Sequence, residues 1–253
     1  SAAAVSLANS VLRFDAPSLN IVVLDTKKQA IFFSSDLDTF FDDKCVFYLP
    51  QVEGDHSVQS IKDATAKVQR TSALAAIENF EGNKTPGNIS KVMKEPSLVI
   101  TPLLLDKERN SSKGHKIIVT YQDALKEKVL KTKTVRQNTI ILKKGEKISH
   151  DFLKEYLFNF NFKKVDFVSE PGEFALRGSI IDIFSFNDNN PYRIDFFGDE
   201  IDEIALFDNN SQRTTESRDQ VEIYPNIYQN FEDSDYVDFE EIIPECAIRW
   251  PQN

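Results

Sequence analysis

Pro191-Tyr192-Arg193-Ile194-Asp195-Phe196-Phe197-Gly198-Asp199-Glu200-Ile201-Asp202 reads as two antiparallel strands and the turn between them. Gly198-Asp199 is a two-residue hairpin signal, because such turns need a residue that accepts positive φ. Side chains alternate across a strand, so Tyr192, Ile194 and Phe196 fall on one face and Arg193, Asp195 and Phe197 on the other. The first trio is a core face. Phe197 is out of place on the second, since an aromatic beside Arg and Asp at a strand end is poorly placed for a core. Either a second small core or a helix covers that face, or it is a protein-binding surface, where exposed aromatics and Arg are enriched.

Working outward, Val165–Val168, Glu173–Phe184 and Glu200–Phe207 are further strands, separated by Pro171-Gly172 and by Asn187–Asn190. Arg177 lies in the strand before Tyr192 and is expected to reach the same face, with Gly178 as a possible bulge. Thr139–Leu142 opens the region as a short strand. Ser149 is an N-cap with Asp151 in the first turn, starting a helix expected to bury Phe152, Tyr156, Leu157 and Phe160. This is an α+β module built on an antiparallel meander, leaving at Tyr224-Pro225.

The first 130 residues follow another rule. Asn20–Leu24, Lys44–Leu49, Ser97–Thr101 and Lys116–Thr120 are nearly continuous apolar runs, as in strands buried on both faces. Helices are expected at 2–12, 28–41, 57–79 and 122–130, and loops at 81–88 and 106–114. Strand–helix alternation implies a parallel sheet. The fold class is therefore α/β: a parallel-sheet domain with flanking helices plus an inserted α+β antiparallel module. Expected boundaries are 1–132 for the first domain, 133–222 for the module, and 223–253 for a returning segment that packs on the first domain.

Composition narrows the function. The 253 residues carry 30 basic and 40 acidic side chains, net −10, and 41% are hydrophobic. Net charge is −3 over residues 1–80, +8 over 81–150 and −15 over 151–253, so the chain is expected to bind DNA weakly. Cys45 and Cys246 make no disulfide framework, and no apolar run is long enough to span a membrane, so a cytoplasmic protein is expected. Ser1 at one end and the apolar Ala247–Trp250 at the other suggest a piece of a longer chain. Gly82-Asn83-Lys84-Thr85 is the nearest approach to a phosphate-binding loop, but it follows a helix and lacks the earlier glycine. His56, His115 and His150 are isolated, giving no zinc spacing, and no nucleophile signature occurs. No catalytic residue, cofactor or metal ligand is assigned.

Glu170–Phe184, then Pro191–Asp202, Phe207-Asp208 and Ser211-Gln212-Arg213 together resemble the bacterial transcription-repair coupling factors (the Mfd family) in their N-terminal region, which is itself similar to the front of the excision-repair protein UvrB. The resemblance is densest over 137–225, thinner over 17–80 and 116–130, and interrupted by an apparent insertion at 82–115. It implies a UvrB-like first domain with a degenerate nucleotide site, and a second domain that recruits the damage-recognition ATPase UvrA through Arg177, Arg193 and Phe197. Alanine at each of these is then expected to weaken docking and leave the fold intact. RNA polymerase and DNA would be engaged by regions beyond residue 253. The rival readings are a UvrB-like ATP-dependent enzyme fragment and a DNA-binding module using the basic middle segment.

Overall fold

The computed structural model describes residues 1–12, 17–41, 45–52, 61–80, 114–188, 190–209, 211–228 and 231–250. The expected strand at 97–101, the loop at 81–88, the Gly82–Thr85 stretch, His56 and nearly all of the 82–115 insertion lie outside them. The chain divides into two compact units, Ser1–Val129 with Val237–Asn253, and Leu130–Tyr236.

The first unit contains α1 (Ala2–Leu12), β1 (Leu19–Leu24), α2 (Lys27–Asp38), β2 (Val46–Tyr48), α3 (Ile61–Glu78), β3 (Lys116–Tyr121) and α4 (Gln122–Leu125). Strands β1, β3 and β2 pair in parallel in that order. Ile21, Val22, Ile117, Ile118 and Val119 are buried, as their uninterrupted apolar runs require of a sheet covered on both sides. On one side Ala4, Leu7, Ala8 and Val11 of α1 and Ala30 and Leu37 of α2 meet Val22, Ile117 and Val119.

The helix expected over 122–130 stops after one turn, and Val129–Leu130 is a short strand, β4. Arg70 of α3, almost fully buried, explains the break. Its guanidinium donates to the carbonyls of Ala124 at 3.3 Å and Glu127 at 3.0 Å. Those are the acceptors that a continuing helix would need at its next turn.

In the second unit, α5 (Thr132–Asn138) has no apolar period to announce it and buries only Val135. Then follow β5 (Ile140–Lys143), α6 (His150–Asn159), β6 (Lys163–Lys164), β7 (Glu173–Arg177), β8 (Ile180–Ile183), β9 (Tyr192–Phe197), β10 (Glu200–Phe207), β11 (Thr214–Arg218) and β12 (Gln220–Ile223). The six strands β6 to β11 form one sheet in sequence order, antiparallel except for β6 with β7. β12 pairs with β5. The chain continues through β13 (Tyr236–Val237) and α7 (Phe239–Ile242) to β14 (Ile248–Trp250), which joins the parallel sheet beside β1.

Three expectations for this unit are corrected. The stretch 173–184 is not one bulged strand but a hairpin: Arg177 pairs with Ile180 across Gly178-Ser179, and Gly178 sits at φ 63°. Gly198 has the same φ in the next hairpin, where Phe197 pairs with Glu200. Glycine at the first central position is what such two-residue turns favour. Second, the strand expected over 165–168 does not form: the strand here is Lys163–Lys164, and after Val165 the chain leaves the sheet as a loop. Third, Phe152 is 54% exposed. Ser149 caps α6 as expected, but the buried stripe runs through Leu153 and Leu157 with Tyr156 and Phe160 at its edge, and Phe152 lies one position off it.

Candidate docking surface

The sheet has one wholly apolar face. Phe174, Ile181, Ile183, Tyr192, Ile194, Phe196, Ile201 and Ile204 pack there with Leu153 and Leu157 of α6 and with Leu142, Val221 and Ile223 of the β5–β12 pair. Cross-strand register fixes what the opposite face carries. Asp182 pairs with Arg193, and Ile180 with both Arg177 and Asp195. Partners in register point the same way, so Arg177, Asp182, Arg193, Asp195 and Phe197 share that second face. Arg177 is two strands from Arg193, not on the neighbouring strand as expected, because β8 runs between them.

The centre of the face is an ion pair that sequence reasoning missed. Asp182 is fully buried. Arg193 donates to it through Nε at 2.7 Å and Nη2 at 2.9 Å, a bidentate fork, and Arg177 Nη1 lies 3.7 Å from the same carboxylate. The hydrogen bonds to Asp182 raise the already high pKa of Arg193, so its charge is fixed. The guanidinium also lies 4.7 Å over the buried Phe207 ring, and Nη1 donates to the Gln212 carbonyl at 3.4 Å. These bonds use the Nε hydrogen of Arg193 and one hydrogen on each terminal nitrogen, which leaves one donor on each terminal nitrogen. The only sequence sign of Asp182 was an acid inside the apolar run Ile180–Ile183.

Arg177 is held differently. Its Nη2 donates to the carbonyl of Asp166 at 3.2 Å, and its guanidinium stacks 4.7 Å from the Phe167 ring. Phe197, at the end of β9, is 83% exposed. Asp195, between it and Arg193 on the same face, accepts a bond from Ser179 Oγ at 2.9 Å. A second small core does exist on this side, made of Val168, Ala175, Phe184 and Phe207 with Val165, but Phe197 is not part of it.

The first unit offers less chemistry. The turn after β1 contains no glycine, and Thr26 begins α2 at once. Thr26 Oγ1 accepts the Gln29 amide at 3.3 Å while Gln29 Oε1 accepts the Thr26 amide at 3.1 Å. An amide that a phosphate would need at this helix start is already bonded. An apolar cavity of about 330 Å³ opens beside α1 and α2, lined by Leu7, Val22, Leu24, Phe32, Phe33 and Trp250. Among the described residues no three His, Cys, Asp or Glu side chains converge as metal ligands, and no helix is long and apolar enough to cross a membrane.

Residues 140–228, which contain this sheet and its arginine–phenylalanine face, match the UvrB interaction domain. The chain is 35% identical over 109 residues to the transcription-repair-coupling factor of Escherichia coli, covering 43% of this chain and 10% of that protein. It is 32% identical over 109 residues to that of Bacillus subtilis, covering 43% and 9%. Against that of Staphylococcus aureus it is 31% identical over 178 residues, covering 68% and 14%. The resemblance read from residues 170–213 is borne out: the chain carries a UvrB interaction domain within a stretch akin to the N-terminal region of transcription-repair coupling factors. It spans between 9% and 14% of the length of these relatives.

Proposed function

We propose that this chain is a non-catalytic, UvrA-recruiting module of a cytoplasmic transcription-repair coupling factor, and that Arg177, Arg193 and Phe197 form its docking surface. The observation that carries this reading is Phe197, an aromatic 83% exposed on the same sheet face as two arginines, within the matched 140–228 span. Aromatic and Arg side chains at the centre of a contact supply most of its energy. The module works without a cofactor and without ATP. RNA polymerase and DNA are engaged by other parts of the longer protein, and the linkage between stalled transcription and excision repair follows from holding UvrA at one end.

The test is a titration of UvrA against the parent chain and Phe197→Ala. Losing an anchor of about 2 kcal/mol weakens binding roughly thirtyfold. Because Phe197 is exposed, its melting temperature stays with the parent. Normal UvrA binding by Phe197→Ala refutes the assignment of the surface. A saturable ATP isotherm at micromolar concentration would favour the rival enzyme reading instead, and tight, salt-sensitive DNA binding the other rival.

A further inference from the structure

We infer that Phe167 is a second aromatic anchor of this surface, and that Arg177 serves as its positioning residue. The inference rests on the docking reading above and extends it to a loop outside the sheet. Phe167 is 66% exposed, whereas its neighbour Val168 is fully buried in the small second core. Turning Val168 inward directs Phe167 outward. The ring does not float: the Arg177 guanidinium lies 4.7 Å from its centre, and Arg177 Nη2 holds the preceding carbonyl, that of Asp166, at 3.2 Å.

The rest of the loop is equally fixed. Glu173 Oε2 accepts the amides of Ser169 at 2.9 Å and Glu170 at 3.0 Å. Asn209 Nδ2 donates to the Ser169 carbonyl at 2.7 Å, and Gln212 Nε2 to that of Val168 at 3.3 Å. An aromatic presented on a loop already ordered loses little freedom on binding. Arg177 lies on the face that carries Phe197, and β7 and β9 are two strand spacings apart, about 10 Å. Phe167, stacked on Arg177, and Phe197, at the end of β9, therefore give a partner two aromatic contacts on the side of the sheet that carries the arginine pair.

The experiment is a UvrA titration of the whole chain with Phe167→Ala, Phe167→Gln and Phe197→Ala, each with its melting temperature. Phe167→Ala is expected to bind about tenfold more weakly and to melt with the parent. Phe167→Gln, which keeps a side chain of similar length over Arg177 but no aromatic face, is expected to weaken binding likewise and decides the matter if alanine loosens the loop. Arg177→Lys is expected to weaken binding more in the parent than in the Phe167→Gln background, since part of its effect is exerted through the ring; equal losses in the two backgrounds would overturn the positioning role. If Phe197→Ala weakens binding while both Phe167 variants bind like the parent, this inference is overturned and the docking reading stands. If no variant changes binding, both are overturned. Concentration-dependent dimers of the chain alone, abolished by Phe167→Ala, would assign the ring to a second copy and also overturn it.

Discussion

Arg193→Ala is expected to damage the fold as well as the docking surface, contrary to what sequence alone led us to expect. The substitution removes two charge-assisted hydrogen bonds of 2.7 and 2.9 Å from a carboxylate with no solvent exposure. Each such bond is worth about 1.5–3 kcal/mol, and stranding a buried charge costs about 3–5 kcal/mol. Arg177 Nη1, at 3.7 Å, offsets part of this, so a loss of about 3 kcal/mol is expected. Asp182→Asn should cost less, because the arginine it releases is partly exposed and can turn to water. Arg193→Ala with Asp182→Ala should cost less than the sum of the two alanine variants by about 2 kcal/mol, since no charge is then left buried. Urea denaturation of the four proteins measures the cycle. Additive costs, or Arg193→Ala within about 0.5 kcal/mol of the parent, would refute the reasoning. The cycle also sets how docking data are read: for Arg193 a loss of UvrA binding mixes folding with contact, and Phe197 gives the clean probe.

Gly172→Ala should destabilise the second unit by about 1–3 kcal/mol, because Gly172 has φ 86° and a Cβ there would run into the Phe186 ring; a parent-like urea midpoint would contradict it. Burial pushes the phenols of Tyr156 and Tyr192 well above their ordinary value, and Asp188 adds to it at Tyr192. Folded values raised above the unfolded one mean stability that is intact below about pH 10 and lost as pH rises further. Phenolate absorbance from these two should therefore appear together with loss of circular dichroism, and ionisation of all seven tyrosines with the fold intact would refute it. Asn20→Ala should lower the stability of the first unit by about 1–3 kcal/mol, because it leaves the buried Trp250 Nε1 without the Asn20 Oδ1 acceptor at 3.2 Å. Fluorescence of that single tryptophan reports the change directly, and an unshifted midpoint would count against it.

The parts of the fold that were legible are those where one physical rule acts alone. Burial on both sides dictates the apolar runs of β1 and β3, and a sheet with one sealed face dictates the alternation from Tyr192 to Phe197. The errors fall where a distant group competes with a local rule. Apolar residues continue through 174–183 as though the strand did, and only Gly178 betrays the turn. The helical pattern after Tyr121 is sound, but Arg70, more than fifty residues earlier, takes the carbonyls it would have used. For the candidate surface, alternation placed Arg193 and Phe197 on one face, whereas Asp182 and Phe167 owe their roles to strand pairing and to a loop that no periodicity describes.

A buried carboxylate in the middle of a sheet is poor evidence for stability, since replacing such a pair by apolar groups is often neutral. Its value at this position lies in geometry. Arginine side chains carry about 2 kcal/mol of rotamer freedom that a partner would otherwise have to remove on binding. Here Asp182 and the Phe207 ring remove it for Arg193 during folding, and Asp166 and Phe167 do so for Arg177. The same pairing sets a constraint on the proposed partner. With Nε and one Nη2 hydrogen of Arg193 spent on Asp182 and one Nη1 hydrogen on the Gln212 carbonyl, an incoming acceptor can meet only the hydrogens left on the two terminal nitrogens. A partner that pairs with Arg193 must therefore do so through those remaining donors, and one that needs the Nε edge has first to break the fork to Asp182.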